Sequence, residues 1–244
     1  MPDSKTDVER LKRHLVVANR ILADQGVVDA FGHISQRHPD RPDRFFLSRS
    51  RSPELVEPDD ILEFSLDGEV ADGRPEAPYA ERFIHAGVLA AYPQFNCVVH
   101  SHALAVLPFS ISSVPLRTVI HTASQCGPVI PVWDSQKRFG DTGLLITDID
   151  QGRDLAAALG NNRAVLMRGH GFTAAGANLV EVLKVSIYLP QNAQVLMDAI
   201  RLGGDVKALT EGEIAIREGF GPGGMHIERA LEYWARKAGC AHYL

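Results

Sequence analysis

Residues 98–103 read Val-Val-His-Ser-His-Ala, and residues 168–171 read Arg-Gly-His-Gly. His100 and His102 are two positions apart at the end of an apolar, β-branched run. If that run is a strand, its period of two puts both rings on one face of a sheet. His170 also follows an apolar run, 164–167, and stands between Gly169 and Gly171, where the missing side chains let the backbone come close to a ligand. Two imidazoles on one face and a third from a distant turn are the donor set of a catalytic divalent-cation site with open positions. A plainer reading also fits, a solvated pair of strand histidines beside an unrelated loop histidine, because His-x-His is a short motif.

Outward from these stretches, the pattern is α/β. Residues 7–25 form an amphipathic helix with Leu11, Leu15, Ala18 and Leu22 on one face and Gly26 as its stop. Strand-like runs follow at 31–36, 45–48 and 61–66, and Asp67-Gly68 marks a hairpin turn. Pro78 precedes a helical pattern over 79–92 that Pro93 ends. Further strands are expected at 129–132, 144–147 and 164–168, with a helix over 151–159. A long helical pattern at 178–200 contains Pro190, where a break or kink is expected. Residues 219–224 hold four glycines and Pro222 and read as a flexible connection to a last helix over 225–237. Hairpins and helical crossovers together indicate a mixed or antiparallel sheet. One domain over 1–244 is expected, with a C-terminal helical extension from about 205.

Composition narrows the function classes. The 244 residues are 45% hydrophobic and 23% charged, as in an ordinary globular protein. A formal charge of −5 argues against a nucleic-acid surface. No apolar stretch reaches the ~20 residues of a membrane span. The polar start, 1–13, reads as the beginning of a helix and not as a signal peptide. Cys97, Cys126 and Cys240 form no Cys-x-x-Cys pair, so reduced thiols in a cytoplasmic protein are expected, with Cys97 a core residue and no nucleophile.

A reaction at a three-histidine site needs a proton carrier beside it. Glu81 is the candidate, in the first turn of its helix, although a carboxylate is favoured there by the helix dipole alone. His85, one turn later, would orient Glu81 or simply be buried. A cupin would need a carboxylate soon after the second histidine, but 103–107 is Ala-Leu-Ala-Val-Leu. There is no His-Glu-x-x-His, no P-loop and no Gly-x-Ser-x-Gly elbow.

The chain resembles the class II aldolase/adducin family over nearly its whole length. The matching pieces are Phe31-Gly-His-Ile-Ser35, Pro58-Asp-Asp-Ile61, the helix carrying Glu81 and His85, Val99-His-Ser-His-Ala103 and Arg168-Gly-His-Gly171. The resemblance implies a three-layer α/β/α fold around a mainly antiparallel sheet, and a fourfold-symmetric homotetramer with metal sites at subunit interfaces. It makes His100, His102 and His170 the ligands of a divalent cation, often Zn²⁺ and in some branches Mn²⁺, Mg²⁺ or Co²⁺. It places Glu81 as catalytic acid/base, with His33 or His121 the groups to which that role would pass. Relatives that lost catalysis also lost such ligands; this chain keeps them, which favours an enzyme over a scaffold.

The departures from the family pattern point to a different substrate. Sugar-phosphate aldolases of the family carry two serines before the glutamate, where this chain has Tyr79 and Ala80, and a glycine-asparagine pair where it has Gly32-His33. A phosphate dianion needs several strong donors, and most are missing. Ser48-Arg-Ser-Arg-Ser52 stands in place of a phosphate loop, and arginine forks suit carboxylates. Ser48, Arg49, Arg51, Tyr79 and His121 are therefore the substrate-binding candidates, with one of the two arginines expected to be a solvated loop residue. Gly32-His-Ile-Ser-x-Arg-His-Pro39, Leu47-Ser-Arg-Ser-Arg-x-Pro-Glu-Leu-Val56 and Tyr79-Ala-Glu-Arg-Phe-Ile-His85 resemble a branch that includes decarboxylases of 3-hydroxy-2-methylpyridine-4,5-dicarboxylate and of dihydroxyphthalate. The implied activity is decarboxylation of a hydroxylated aromatic or heteroaromatic carboxylate through a metal-stabilised enolate-like state. A retro-aldolase on a non-phosphorylated hydroxy-keto acid and a non-haem iron (Fe²⁺) oxygenase are the alternatives. Segment 116–139, with His121 and Trp133, and the last helix, with His226, Tyr233 and Trp234, are expected to close pockets across subunits.

Overall fold

A computed structural model describes residues 4–218 and 225–244. The glycine-rich stretch 219–224 and the side chain of His226, both singled out in the sequence, lie outside the described residues. The helices are α1 (Ser4–Asp24), α2 (Arg82–Ala91), α3 (Leu107–Ser110), α4 (Gln136–Phe139), α5 (Ile149–Leu159), α6 (Leu179–Leu202), α7 (Glu211–Glu218) and α8 (Met225–Lys237). The strands are β1 (His33–Arg37), β2 (Arg44–Ser48), β3 (Ile61–Ser65), β4 (Cys97–Ser101), β5 (Leu116–Arg117), β6 (Val129–Ile130), β7 (Val132–Trp133), β8 (Ala164–Met167) and β9 (Gly171–Gly176). Seven of them form one sheet in the order β3-β2-β1-β4-β9-β8-β7, while β5 and β6 pair separately. Within the large sheet only β7 and β8 are parallel.

The layers follow from alternation along the strands. Phe45, Leu47, Val98, Val165 and Met167 face α2 and α5, packing with Ile84, Val88, Leu155 and Leu159. Their neighbours Phe46, Val99 and Leu166 face the other way, onto Leu15 and Ile21 of α1 and Val182 and Leu189 of α6. Both faces of the sheet are thus covered, and the three-layer α/β/α arrangement with a mainly antiparallel sheet is present. Helices α2 and α5 touch backbone to backbone: a Cβ on Gly87 would lie 2.3 Å from the Gly152 carbonyl carbon, and one on Gly152 would lie 2.1 Å from the Phe83 oxygen. This contact anchors the helix whose N-terminus carries Glu81.

The hairpin turn expected at Asp67-Gly68 forms, with Phe64 bridging Val70. Gly68 takes φ +84, and a Cβ there would meet the Phe83 ring at 2.7 Å. Three expectations are corrected. Residues 144–147 are not a strand; Leu144 has φ +63, and the backbone of this stretch bonds the side chains of His170 and Glu81 instead. The 129–132 run divides at Pro131 into β6 and β7, because proline has no N–H for a ladder. Pro190 does not break α6. Packing on both sides of it outweighs the one lost bond: Val185, Ile187 and Leu189 are buried before it and Ala193 and Leu196 after it. Asn192 adds polar ties, accepting from Val119 N–H at 2.8 Å and donating to the Arg117 carbonyl at 2.9 Å.

The C-terminal extension joins the α1/α6 core through Trp234, Ala235 and Cys240. The side chain of Lys237 meets Asp24 at 3.1 Å, and Tyr243 donates to Glu57 at 2.7 Å. Trp133 is buried too, its indole N–H donating to Asp154 at 2.8 Å. Both tryptophans therefore pack within their own chain, contrary to the pocket-closing role expected for them; Tyr233 is exposed.

Candidate metal centre and active site

His100 is the penultimate residue of β4, in register with His33 on β1 and Thr173 on β9. It shares parity with Val98 and so faces the α2/α5 layer. His102 lies just past the strand end, and His170 occupies the turn between β8 and β9. Glycine on each side makes that turn possible. Gly169 has φ +65, and a Cβ on Gly171 would stand 2.0 Å from the Ser101 oxygen, so only glycine lets the turn press against the end of β4.

The three imidazoles converge. The Nε2 atoms of His100 and His102 are 2.9 Å apart, as are those of His102 and His170. His100 Nδ1 lies 3.2 Å from the Phe172 carbonyl and His170 Nδ1 lies 2.9 Å from that of Leu144. A carbonyl only accepts, so each of these Nδ1 atoms carries the hydrogen and each Nε2 offers a lone pair. Glu81 completes the group, its Oε2 standing 3.5 Å from His100 Nε2 and 3.6 Å from His170 Nε2. The four donor atoms lie within 4.8 Å of one another. Lone pairs of neutral imidazoles and a carboxylate crowded together fit a divalent cation.

Electrostatics agree with that donor set. Burial, then the charges of His100 and His170, push His102 down to about 4. His100 is lowered by burial, with Glu81 opposing. Burial raises the Glu81 carboxyl, but its contacts with His100 and His170 outweigh this and hold it well below the usual carboxylate range. Glu81 is the N-cap of α2, and its Oε1 accepts from the Ile146 N–H at 3.1 Å. The short stretch expected to be a strand thus orients His170 through the Leu144 carbonyl and holds the Glu81 carboxylate through the Ile146 N–H.

His33 and His85 lie behind His100. His33 Nδ1 is 2.6 Å from His85 Nε2, and His85 Nδ1 is 2.6 Å from Ser35 Oγ. Burial, then the charge of His100, push His85 down to about 3. His85 therefore contacts His33 and Ser35, and not Glu81. The sequence carried a signal for this, since His33 and Ser35 are two apart on one strand face. The His33 ring packs 4.5 Å from Tyr79 and 5.2 Å from His100. Tyr79 hydrogen-bonds the Arg51 carbonyl and receives the Ser48 hydroxyl at 3.2 Å.

The other substrate candidates divide differently from expectation. Arg49 and Arg51 both grip one internal carboxylate, Asp60, at 2.6 and 2.8 Å. Neither is a free loop cation, because Asp60 is buried and also caps the turn by accepting from Glu57 N–H at 2.9 Å. His121 is exposed and makes no hydrogen bond, ion pair or ring contact among the described residues, so nothing ties it to the cluster. Phe31, absent from the candidate list, has its ring 6.2 Å from that of His102.

Asp60 gives a first expected outcome. Burial raises its pKa, but the Glu57 N–H and the two arginines together bring it below the usual value. Its stabilising effect is present above the unfolded-state pKa, near ~3.9, and is lost as pH falls through the lower folded-state value. Asp60→Asn should destabilise the fold at neutral pH by roughly 1.5–3 kcal/mol, the scale of hydrogen bonds to a charged group, lowering the melting temperature and flattening the stability–pH curve on the acid side. Thermal melts from pH 2 to 7 check this; equal slopes in both proteins would count against the Asp60 anchor.

A three-layer α/β/α fold whose sheet ends in three imidazoles and a carboxylate has a donor set that could hold a divalent cation. The chain belongs to the class II aldolase and adducin family: the Class II Aldolase and Adducin N-terminal domain matches residues 13–197. It is similar to decarboxylase tropJ of Talaromyces stipitatus, 37% identical over 196 residues, which covers 75% of this chain and 74% of that protein. It is also similar to the 3,4-dihydroxyphthalate decarboxylase of Arthrobacter keyseri, 27% identical, covering 82% and 83% of the two chains. The fold is shared with the L-fuculose 1-phosphate aldolase of Glaciozyma antarctica PI12, with a TM-score of 0.77, 20% identity, and 98% and 92% of the chains covered.

Proposed function

We propose that the chain is a metal-dependent carbon–carbon lyase that decarboxylates a hydroxylated aromatic or heteroaromatic carboxylic acid. The observation that carries this is the convergence of His100, His102 and His170 on Glu81, beside a wall made of Tyr79 and His33. The similarity to decarboxylases supports the reaction type. His100, His102 and His170 would hold the cation, Zn²⁺ or Mn²⁺ in the first instance, with Mg²⁺, Co²⁺ or Fe²⁺ as the other candidates. When bound, the cation supplies Lewis-acid stabilisation of the negative charge left as the carbon–carbon bond breaks. Glu81, or a water it orients, delivers the proton to the carbon that loses CO₂. Tyr79 and His33 offer flat faces to an aromatic ring. Ser48, joined to the Tyr79 hydroxyl, offers a polar contact. Arg49 and Arg51, each bound to Asp60 through one nitrogen, keep other N–H groups for a carboxylate. The buried, unpaired Cys97, Cys126 and Cys240 suit a cytoplasmic setting. No described helix is long and apolar enough to cross a membrane.

A panel of hydroxylated aromatic carboxylates should release CO₂ with the metal-loaded protein, the metal being identified by elemental analysis. Fuculose or rhamnulose phosphate should not be cleaved at ordinary enzymatic rates of ~1–10³ s⁻¹. Cleavage of the sugar phosphates at such rates, or oxygen uptake in place of CO₂ release, would overturn the assignment.

The active unit we propose is a homotetramer. Phe31, Leu104 and Ile111 around the cluster are 66%, 78% and 65% exposed, more apolar rim than a lone chain usually leaves in water. Light scattering at micromolar concentration should report about four times the 26.7 kDa chain. A fully active monomer would refute it.

A further inference from the structure

Phe31 takes no part in the proton and metal chemistry above. Yet among the described residues it is the one carbocyclic ring in contact with a histidine of the cluster. We propose that Phe31 is a specificity-determining residue, the platform on which the ring of an aromatic hydroxy-carboxylate lies when its oxygens reach the cluster. The substrate class rests on the decarboxylase reading above.

The local sequence builds a rigid mount for this side chain. The Asp29 carboxylate accepts the Phe31 N–H at 2.9 Å, and the Asp29 N–H donates to the Phe31 carbonyl at 3.2 Å. The same loop is tied to the end of β4 between the two strand histidines, where Ser101 Oγ donates to the Val27 carbonyl at 2.5 Å. Gly32 presses it there from the other side. Its φ is +94, and a Cβ would lie 2.5 Å from Val28 Cγ1 and 3.0 Å from the His100 oxygen. The backbone on either side of Phe31 is thus fixed to the strand that presents His100 and His102. The ring itself is not packed away: it is 66% exposed, its centroid 6.2 Å from that of His102 and the planes tilted by 43°.

An exposed phenyl on a fixed backbone leaves apolar area for a ligand to cover, and little freedom is lost when it does. From Phe31 the ring contacts run through His102, His100 and His33 to Tyr79, with centroid separations of 6.2, 4.8, 5.2 and 4.5 Å. Along that series the cluster has an aromatic side chain at each end. Tyr79 is half-buried and its hydroxyl is already bonded, so Phe31 offers the freer surface. A flat ring gains from Phe31 both burial and ring–ring contact, whereas a saturated ring of the same size gains burial alone. Leu104 and Ile111 on the same rim have no aromatic face to offer, so closure of the rim by a neighbouring chain and seating of the ligand ring fall to different side chains.

Salicylate and cis-2-hydroxycyclohexanecarboxylate carry the same carboxylate and hydroxyl on rings of one size, flat in the first and puckered in the second. Their dissociation constants, measured by calorimetry on the metal-loaded protein, test the platform without turnover. The wild type should prefer salicylate. Phe31→Leu keeps an apolar side chain at an exposed position and should cut that preference roughly 2–10-fold, the scale of one aromatic pair, while Phe31→Tyr should retain it. A wild type that binds no salicylate, or shows no preference for it, overturns the proposal, as does a preference unchanged in Phe31→Leu. Light scattering on the same samples assigns the effect. Equal masses for the three proteins support the platform; a preference that falls only together with the mass overturns it in favour of an interface role. The decarboxylase reading fails separately: absence of CO₂ release with a Phe31-dependent preference leaves the platform standing, and CO₂ release with an unchanged preference removes the platform alone.

Discussion

Replacing His102 with alanine is expected to give a folded chain with no bound metal and no measurable turnover. His102 lies beyond the end of β4 and is only half-buried, so the sheet does not depend on its ring. Its Nε2 is 2.9 Å from each of the other two, the central position of the three. Removing it leaves two imidazoles, too few to retain a cation against buffer when three protein ligands plus open positions are the working minimum of such sites. Elemental analysis of the purified variant, with a thermal melt against metal-stripped wild type, checks the outcome. A variant that keeps full metal content would remove His102 from the ligand set.

The second large effect is expected at Glu81. Glutamine has the same shape, and its carbonyl oxygen can keep the hydrogen bond from Ile146 N–H seen at 3.1 Å. Glu81→Gln should therefore fold normally and bind its metal, while turnover falls by at least ~10²-fold, the usual scale for a lost proton carrier. Single-turnover CO₂ release and metal content, measured on the same preparation, separate two roles. Loss of metal together with activity would make Glu81 chiefly a ligand, as its 3.5 and 3.6 Å approach to His100 and His170 permits. Unaltered turnover would move the proton to His33, whose ring packs 5.2 Å from that of His100.

Much of this architecture was legible in the sequence wherever side-chain periodicity carries the information. The α1 face of Leu11, Leu15, Ala18 and Leu22 is buried as its spacing requires. The strand before His100 and the turn around His170 form as read, because β-branched runs and paired glycines have few alternative uses. Legibility failed where backbone or tertiary contacts decide. Pro190 forbids one hydrogen bond, but burial on both sides of α6 retains the helix. Residues 144–147 have the composition of a strand, yet their peptide groups serve His170 and Glu81. Asp60, which occupies both arginines, stands in the Pro58-Asp-Asp-Ile61 stretch, but nothing in that stretch names arginines nine and eleven residues away as its partners. His121 stands exposed in an irregular segment, where periodicity says nothing of what a side chain will meet.

The hydrogen bonds that orient the cluster come from peptide groups: Phe172 and Leu144 supply carbonyls to His100 and His170, and Ile146 supplies an N–H to Glu81. Peptide groups are common to all residues, so exchange of the side chains at 144, 146 or 172 leaves these bonds available, provided position 144 tolerates its φ of +63. A one-residue insertion or deletion between 142 and 147 is different, because it would shift the carbonyl and the N–H together and misaim His170 and Glu81 in one event. Drift in this protein's descendants should therefore be free in letter and strict in length here, and loop length, more than residue identity, is the character by which functional relatives would be sorted.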